Sequence, residues 1–144
     1  MAKIAIVRIR GIRNIKPDLS RTMDMLNLSK PHYCTIVEDT PQNMGMVRKV
    51  KDYVTFGSVS EETIFMLLSK RGEKGSKRLK ELFNEAAIKK ASSEIFTGKS
   101  LREYADPVFR LSPPRGGTKN IKMAYPLGAL GARDDIDSLI RRMV

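Results

Sequence analysis

The chain has 144 residues and a formal net charge of +11, from 27 Lys and Arg against 16 Asp and Glu. That length suits one domain with an appendage, and 41% hydrophobic residues exclude full disorder. A single cysteine, Cys34, and a single histidine, His32, exclude an intrachain disulfide and leave an all-protein Cys/His zinc site short of ligands.

Residues 3–10 read as a strand. Ala5, Val7 and Ile9 alternate onto one face. Ile4, Ile6, Arg8 and Arg10 share the other, which turns basic toward its end. Arg8 also breaks the apolar run too early for a signal peptide. Gly11-Ile12-Arg13-Asn14 reads as an irregular loop, and Pro17 suits the first turn of a helix whose apolar stripe is Leu19, Met23 and Leu26. Residues 33–37, rich in β-branched types, form a second strand; Cys34 within it and His32 just before it read as structural. Asp39-Thr40-Pro41 starts another helix, with Met46, Val47, Val50, Tyr53 and Val54 buried and Arg48, Lys49 and Lys51 off that stripe. Val54-Thr55-Phe56-Gly57 is a short third strand. The order β-α-β-α-β predicts a two-layer α+β domain with both helices on one face of a small sheet.

Ser60-Glu61-Glu62 opens a helix with acids in its first turn, and Leu67 and Leu68 lie near its end. The apolar run 64–68 is far too short to span a bilayer, so a cytoplasmic protein is expected. A polar loop follows at 72–76, and Leu79, Leu82, Phe83 and Ala86 mark a further amphipathic helix. Residues 107–126 hold Pro107, Pro113, Pro114, Pro126, Gly116 and Gly117, a composition suited to an irregular arm. A short helix closes the chain over 134–143, its stripe Ile136, Leu139, Ile140 and Met143. Residues 1–60 therefore read as a core, and 61–144 as a helical extension carrying the arm.

Charge is unevenly spread along this plan. Residues 3–17 and 107–133 contain no acid, yet carry Lys3, Arg8, Arg10, Arg13 and Lys16, and Arg110, Arg115, Lys119, Lys122 and Arg133. Segregated positive charge is the footprint of a polyanion, most commonly nucleic acid. With 5 Phe, 4 Tyr and no Trp, and no aromatic-basic strand signature, base stacking on a sheet is not expected. Recognition would rest on phosphates and on the shape of folded RNA. Gly98-Lys99-Ser100 imitates the end of a P-loop, but position 93 is Ser where the loop needs Gly. Gly128-Ala129-Leu130-Gly131 has an apolar inner pair, unlike the GXXG clamp of KH domains, and reads as a tight turn feeding the last helix. The best local signal is the start of the second helix: Asn43 and Gly45 at a free N-terminus that attracts phosphate, with Arg48 and Lys49 about one turn on.

Val7-Arg8-Ile9-Arg10-Gly11-Ile12, Leu26-Asn27-Leu28, and Glu38-Asp39-Thr40-Pro41 followed by Met44-Gly45-Met46-Val47-Arg48-Lys49-Val50 resemble the large-subunit ribosomal protein number thirty family. Pro113-Pro114-Arg115-Gly116-Gly117, and Gly128-Ala129-Leu130-Gly131 before the last helix, are similar to its longer archaeal and eukaryotic members. The resemblance implies a ferredoxin-like domain with a three-stranded antiparallel sheet, a structural rRNA-binding role in the large subunit, and no catalysis, cofactor or metal. Neighbouring ribosomal proteins are possible partners; a membrane or a small-molecule substrate is not. The expected RNA contacts are Arg8, Arg10, Gly11, Arg13, Lys16, Asn43, Gly45, Arg48, Lys49, Arg110, Arg115, Gly116, Gly117, Lys119 and Lys122. The rivals are a non-ribosomal RNA- or DNA-binding regulatory module and an enzyme. The second is disfavoured because the one His and the one Cys lie side by side, and no carboxylate cluster sits in the basic stretches.

Overall fold

A computed structural model describes residues 3–11, 13–117, 120–125 and 127–144, with the backbone alone at 120 and 121. The chain runs β1 (Lys3–Arg8), α1 (Pro17–Met25), β2 (Tyr33–Glu38), α2 (Pro41–Lys49), β3 (Val54–Ser58) and α3 (Glu61–Arg71). A two-residue hairpin, β4 (Glu73–Lys74) and β5 (Lys77–Arg78), leads to α4 (Leu79–Leu82) and α5 (Glu85–Thr97). The last third is β6 (Phe109–Arg110), β7 (Asn120–Ala124), β8 (Gly128–Ala132) and α6 (Ile136–Met143).

β1 is central. It pairs antiparallel with β2, Ala5 opposite Ile36, and with β3, Ile6 opposite Phe56. The sheet does not stop at these three strands. Its order is β6-β2-β1-β3-β8-β7, six strands in all, with β8 parallel to β3. The expected three-stranded sheet is therefore the middle of a larger mixed one. The cause lies in the edges: β2 and β3 would each present unpaired N–H and C=O groups, and β6 and β8 cover them.

The two-layer expectation also changes. Every residue of β1 is buried, because both of its faces are covered. Ile4 and Ile6 pack with Met23, Leu26 and Leu28 around α1, and with Val47 and Val50 on α2. Ala5, Val7 and Ile9 pack into a second cluster with Ile64, Leu67 and Leu68 of α3, Ile88 and Ile95 of α5, and Ile136, Leu139, Ile140 and Met143 of α6. The result is helices on both faces of one sheet, with two separate apolar layers.

Three local expectations are corrected. Gly128-Ala129-Leu130-Gly131 is strand, not a turn. The stretch from Leu79 to Ala86 is not one helix: the chain breaks at Phe83, and the Asn84 side chain caps α5 by accepting from the Ala87 N–H at 2.8 Å. The buried stripe of α5 is Ile88, Ser92 and Ile95, while Leu82 and Phe83 stay exposed. The arm is not irregular throughout, since β6 and β7 lie in it. Between them its backbone is tied to the end of α6, Ser112 N–H donating to the Met143 carbonyl and Arg115 N–H to the Arg142 carbonyl.

Two glycines test this packing in opposite directions. A Cβ at Gly57 on β3 would stand 2.4 Å from the Arg133 carbonyl and 3.1 Å from the Ile136 Cβ, whereas one at Gly45 on α2 meets nothing within 4 Å. Gly57→Ala should cost about 1–3 kcal/mol in urea unfolding. Gly45→Ala should stabilise by about 0.5–1 kcal/mol, through helix propensity alone. Equal effects of the two would contradict the packing of β3 against α6.

Candidate nucleic-acid interface

Strand direction decides which basic residues meet. β1 ends where β2 and β3 begin: Val7 faces Cys34, and Arg8 faces Val54. The loop after β1 and the end of α2 therefore share one end of the sheet. Ile9 and Arg10 N–H groups both donate to the Tyr53 carbonyl, which closes that junction. The Arg10 guanidinium lies 5.1 Å above the Tyr53 ring. Gly11, Arg13 and Lys16 follow in an exposed loop. Arg48 and Lys49 are exposed in the last turn of α2, where cations complement the helix dipole.

The arm brings further charge to the same end. Leu111 N–H donates to the His32 carbonyl, and His32 N–H to the Arg8 carbonyl, so β6 begins the arm beside the start of β2. Arg110 lies 5.8 Å above the Tyr33 ring and 2.8 Å from Glu73. α6 starts at the far end, where its Asp137 accepts from Ser60 N–H, and runs back so that its last residues meet Ser112 and Arg115. Gly116 and Gly117 are exposed with φ of +82° and +77°, held by Arg142 Nη1, which donates to the Gly117 carbonyl at 3.3 Å. One end of the sheet thus gathers Arg10, Arg13, Lys16, Arg48, Lys49, Arg110 and Arg115. Among these, Lys49 bonds Asp18 at 2.8 Å and Arg110 bonds Glu73. That contact holds the Asp18 carboxyl below its ordinary pKa, first through the hydrogen bond and then through the charge of Lys49. Among the described residues Arg10, Arg13, Lys16 and Arg48 have no Asp or Glu carboxylate within ion-pair distance, while Arg115 Nη2 donates to the Val144 oxygen at 3.5 Å.

Other expected contacts are placed elsewhere. Arg8 is 3% exposed, and its guanidinium donates to the Leu28, Arg10 and Gly11 carbonyls at 2.7, 3.1 and 3.2 Å. Burial lowers its pKa, opposed by the nearby charge of Asp24 and by Tyr53. It is an internal tie, not an outward cation. Asn43 and Arg48 are also not neighbours across one turn. α2 has only nine residues, so its start and Arg48 are about 10 Å apart along the axis. Asn43 lies toward the opposite end of the sheet, donating to the Glu38 carbonyl at 2.9 Å. Gly45 is exposed in mid-helix, and Lys122 is exposed on β7. Lys119 lies outside the described residues. The sequence reading missed Arg142, whose signal is its place in the last turn of α6 beside the arm.

On the opposite end two cationic side chains are turned inward, while Arg102 is exposed. Lys3 is buried between Glu38 and the Lys99 carbonyl, both at 3.2 Å, and Arg133 bonds Asp135 at 3.0 Å. Cys34 is fully buried, which pushes its thiol up to about 12 and keeps it unreactive. Among the described residues no three His, Cys, Asp or Glu gather as metal ligands, and no helix is long and apolar enough to cross a membrane.

Residues 4–54 match the family model described as "Ribosomal protein L30p/L7e". The chain is 40% identical to "Large ribosomal subunit protein uL30" of Archaeoglobus fulgidus, over 96% of this chain and 98% of that one. The proteins of the same name from Methanosphaera stadtmanae and Methanococcus maripaludis are each 37% identical over 97% of this chain. The chain belongs to the uL30 family. The stretch matched by the uL30 model spans β1 to the start of β3, the part that carries Arg8, Arg10, Arg48 and Lys49. The archaeal uL30 relatives align along nearly their whole length, so the extension, arm and α6 are part of their form as well.

Buried and outward arginines should separate cleanly in stability. Arg8→Met removes the donor that satisfies three carbonyls and should cost about 2–4 kcal/mol in thermal unfolding. Arg48→Met should stay within about 0.5 kcal/mol. A harmless Arg8→Met would contradict the internal tie.

Proposed function

We infer that this uL30-family chain is a structural constituent of the large ribosomal subunit, and that it binds folded rRNA through the basic end of its sheet. It is not an enzyme, and its place is the cytoplasmic ribosome. The observation that carries the reading is the gathering of cations from loop, helix end, edge strand and arm at one end, several of them without a carboxylate partner. Unneutralised charge of one sign on a folded surface is stabilised by a polyanion, and phosphate binding releases the counterions condensed on RNA.

Arg10, Arg13, Lys16, Arg48, Lys49, Arg110 and Arg115 supply the phosphate contacts. Gly11, Gly116 and Gly117 let backbone approach backbone without a side chain between. Lys122, exposed on β7, adds a contact from the arm, and Lys119 keeps its place as a contact expected from the sequence alone. Asn43 forms a separate, weaker contact away from the main surface, Gly45 lies one turn before Arg48 and Lys49 and lets RNA approach the helix beside them, and Arg8 acts indirectly by holding the Gly11 loop in place. Residues 1–60 present most of this surface; residues 61–144 brace it and add the arm. A free regulatory nucleic-acid module is disfavoured by full-length similarity to proteins named for the large subunit.

Binding to structured rRNA fragments should weaken steeply with salt. Each neutralised phosphate contributes about 0.7–0.9 to the magnitude of the log–log slope. Reversing Arg13, Lys16 and Arg48 to Glu should cut the slope by about 2–3 and collapse affinity, with thermal stability little changed. Reversing Lys77, Lys80 and Lys89, also exposed, changes net charge equally but lies on the helical extension. Equal loss from both triples would mean that net charge, not a localised surface, drives binding.

A further inference from the structure

We propose that the groove between α3 and α5 docks a basic, extended segment of a neighbouring large-subunit protein, a reading that rests on the ribosomal placement above. The groove has a volume of about 670 Å³ and is lined by Phe65 and Phe96, with Glu61, Glu62, Glu85 and Lys89 around them. α3 and α5 spend Ile64, Leu67, Leu68, Ile88 and Ile95 on the core; Phe65 packs against that core at its edge, and Phe96 is left at the surface. Phe96 is 37% exposed and Phe65 half-buried.

The sign of the groove selects the occupant. Three carboxylates against one ammonium stand on a chain of net charge +11. Internal contacts do not cancel them: Glu61 accepts from the neutral Ser93 hydroxyl, and Glu62, 89% exposed, has only Arg141 at 3.8 Å. Such exposed pairs are weak. Phosphate is repelled here, so RNA is the wrong neighbour for this face. Proteins packed among phosphates carry excess Lys and Arg, and segments dense in like charge remain extended. A segment of this kind sets its cations against Glu61, Glu62 and Glu85. Its aliphatic stems, or an Arg plane, cover Phe65 and Phe96. The chain then engages RNA with one end of its sheet and protein with the groove on its helical extension.

The test uses large subunits purified from cells in which the chain carries photoreactive p-benzoylphenylalanine in place of Phe96. Sedimentation with the subunit is read first, and crosslinked partners are then identified by mass spectrometry. The expected product is an adduct to a Lys/Arg-rich segment of one ribosomal protein. Adding Glu62→Lys and Glu85→Lys, both at exposed positions, should lower its yield by roughly tenfold. An adduct to rRNA, an adduct to an acidic or neutral segment, no adduct, or a yield indifferent to the charge reversals overturns the docking proposal while leaving the rRNA-binding role intact. Failure of the chain to sediment with the subunit overturns both.

Discussion

β1 must be dry on both faces, and most of the structure follows from that. Ile4 and Ile6 point one way, Ala5, Val7 and Ile9 the other, and neither set can face water without loss. The amphipathic helices α1 and α2 bury the first set. They cannot reach the second, which is why the extension folds α3, α5 and α6 across the other face. Once both faces are occupied, the surfaces left for a large partner are the strand ends, the loops that join them and the outer sides of the helices. The helical layers thus confine the candidate RNA surface to an end of the sheet.

Charge then follows the strand axis. At the end where β1 starts, Lys3 and Arg133 are buried against carboxylates and a carbonyl. At the end where β1 finishes, Arg8 alone is drawn inward, and its neighbours Arg10 and Arg13 are left outside. Arg8 at the end of β1 and Arg10 two residues beyond it do different work. Arg8 meets three carbonyls for which no backbone N–H partner is seen among the described residues, while Arg10 stacks on Tyr53 with its charge still available. The same guanidinium chemistry serves folding in one case and recognition in the other.

How much of this was legible depends on the range of the interaction concerned. The alternation in β1, the stripe Leu19, Met23, Leu26, and the stripe Ile136, Leu139, Ile140, Met143 are local patterns, and the structure buries them as the periods require, Leu19 only partly. The resemblance carried by the Gly45–Val50 segment and the Pro-Pro-Arg-Gly-Gly arm led to the right family. What local pattern could not show is pairing between distant segments. β6 has two residues, and β8 is Gly128-Ala129-Leu130-Gly131-Ala132, with little β-propensity of its own; each is a strand because an edge of β2 or β3 needs a partner. Both apolar faces of β1 were visible in the sequence, yet a second helical layer was not inferred from them. Arg8 was read as outward because charge usually is, and only the Leu28, Arg10 and Gly11 carbonyls around it make burial tolerable.

The central claim is that one end of the sheet, and not the other, lies against rRNA. β3 offers a ruler, since Lys51 precedes it at the basic end and Ser58 closes it at the far end, and both are exposed. The native Cys34 is buried and unreactive, so an iron chelate can be attached selectively to Lys51→Cys or Ser58→Cys. Hydroxyl-radical cleavage of rRNA inside assembled large subunits is then compared between the two. The account predicts strong, localised cuts from position 51 and few from position 58; cuts of equal strength, or stronger ones from position 58, would contradict it.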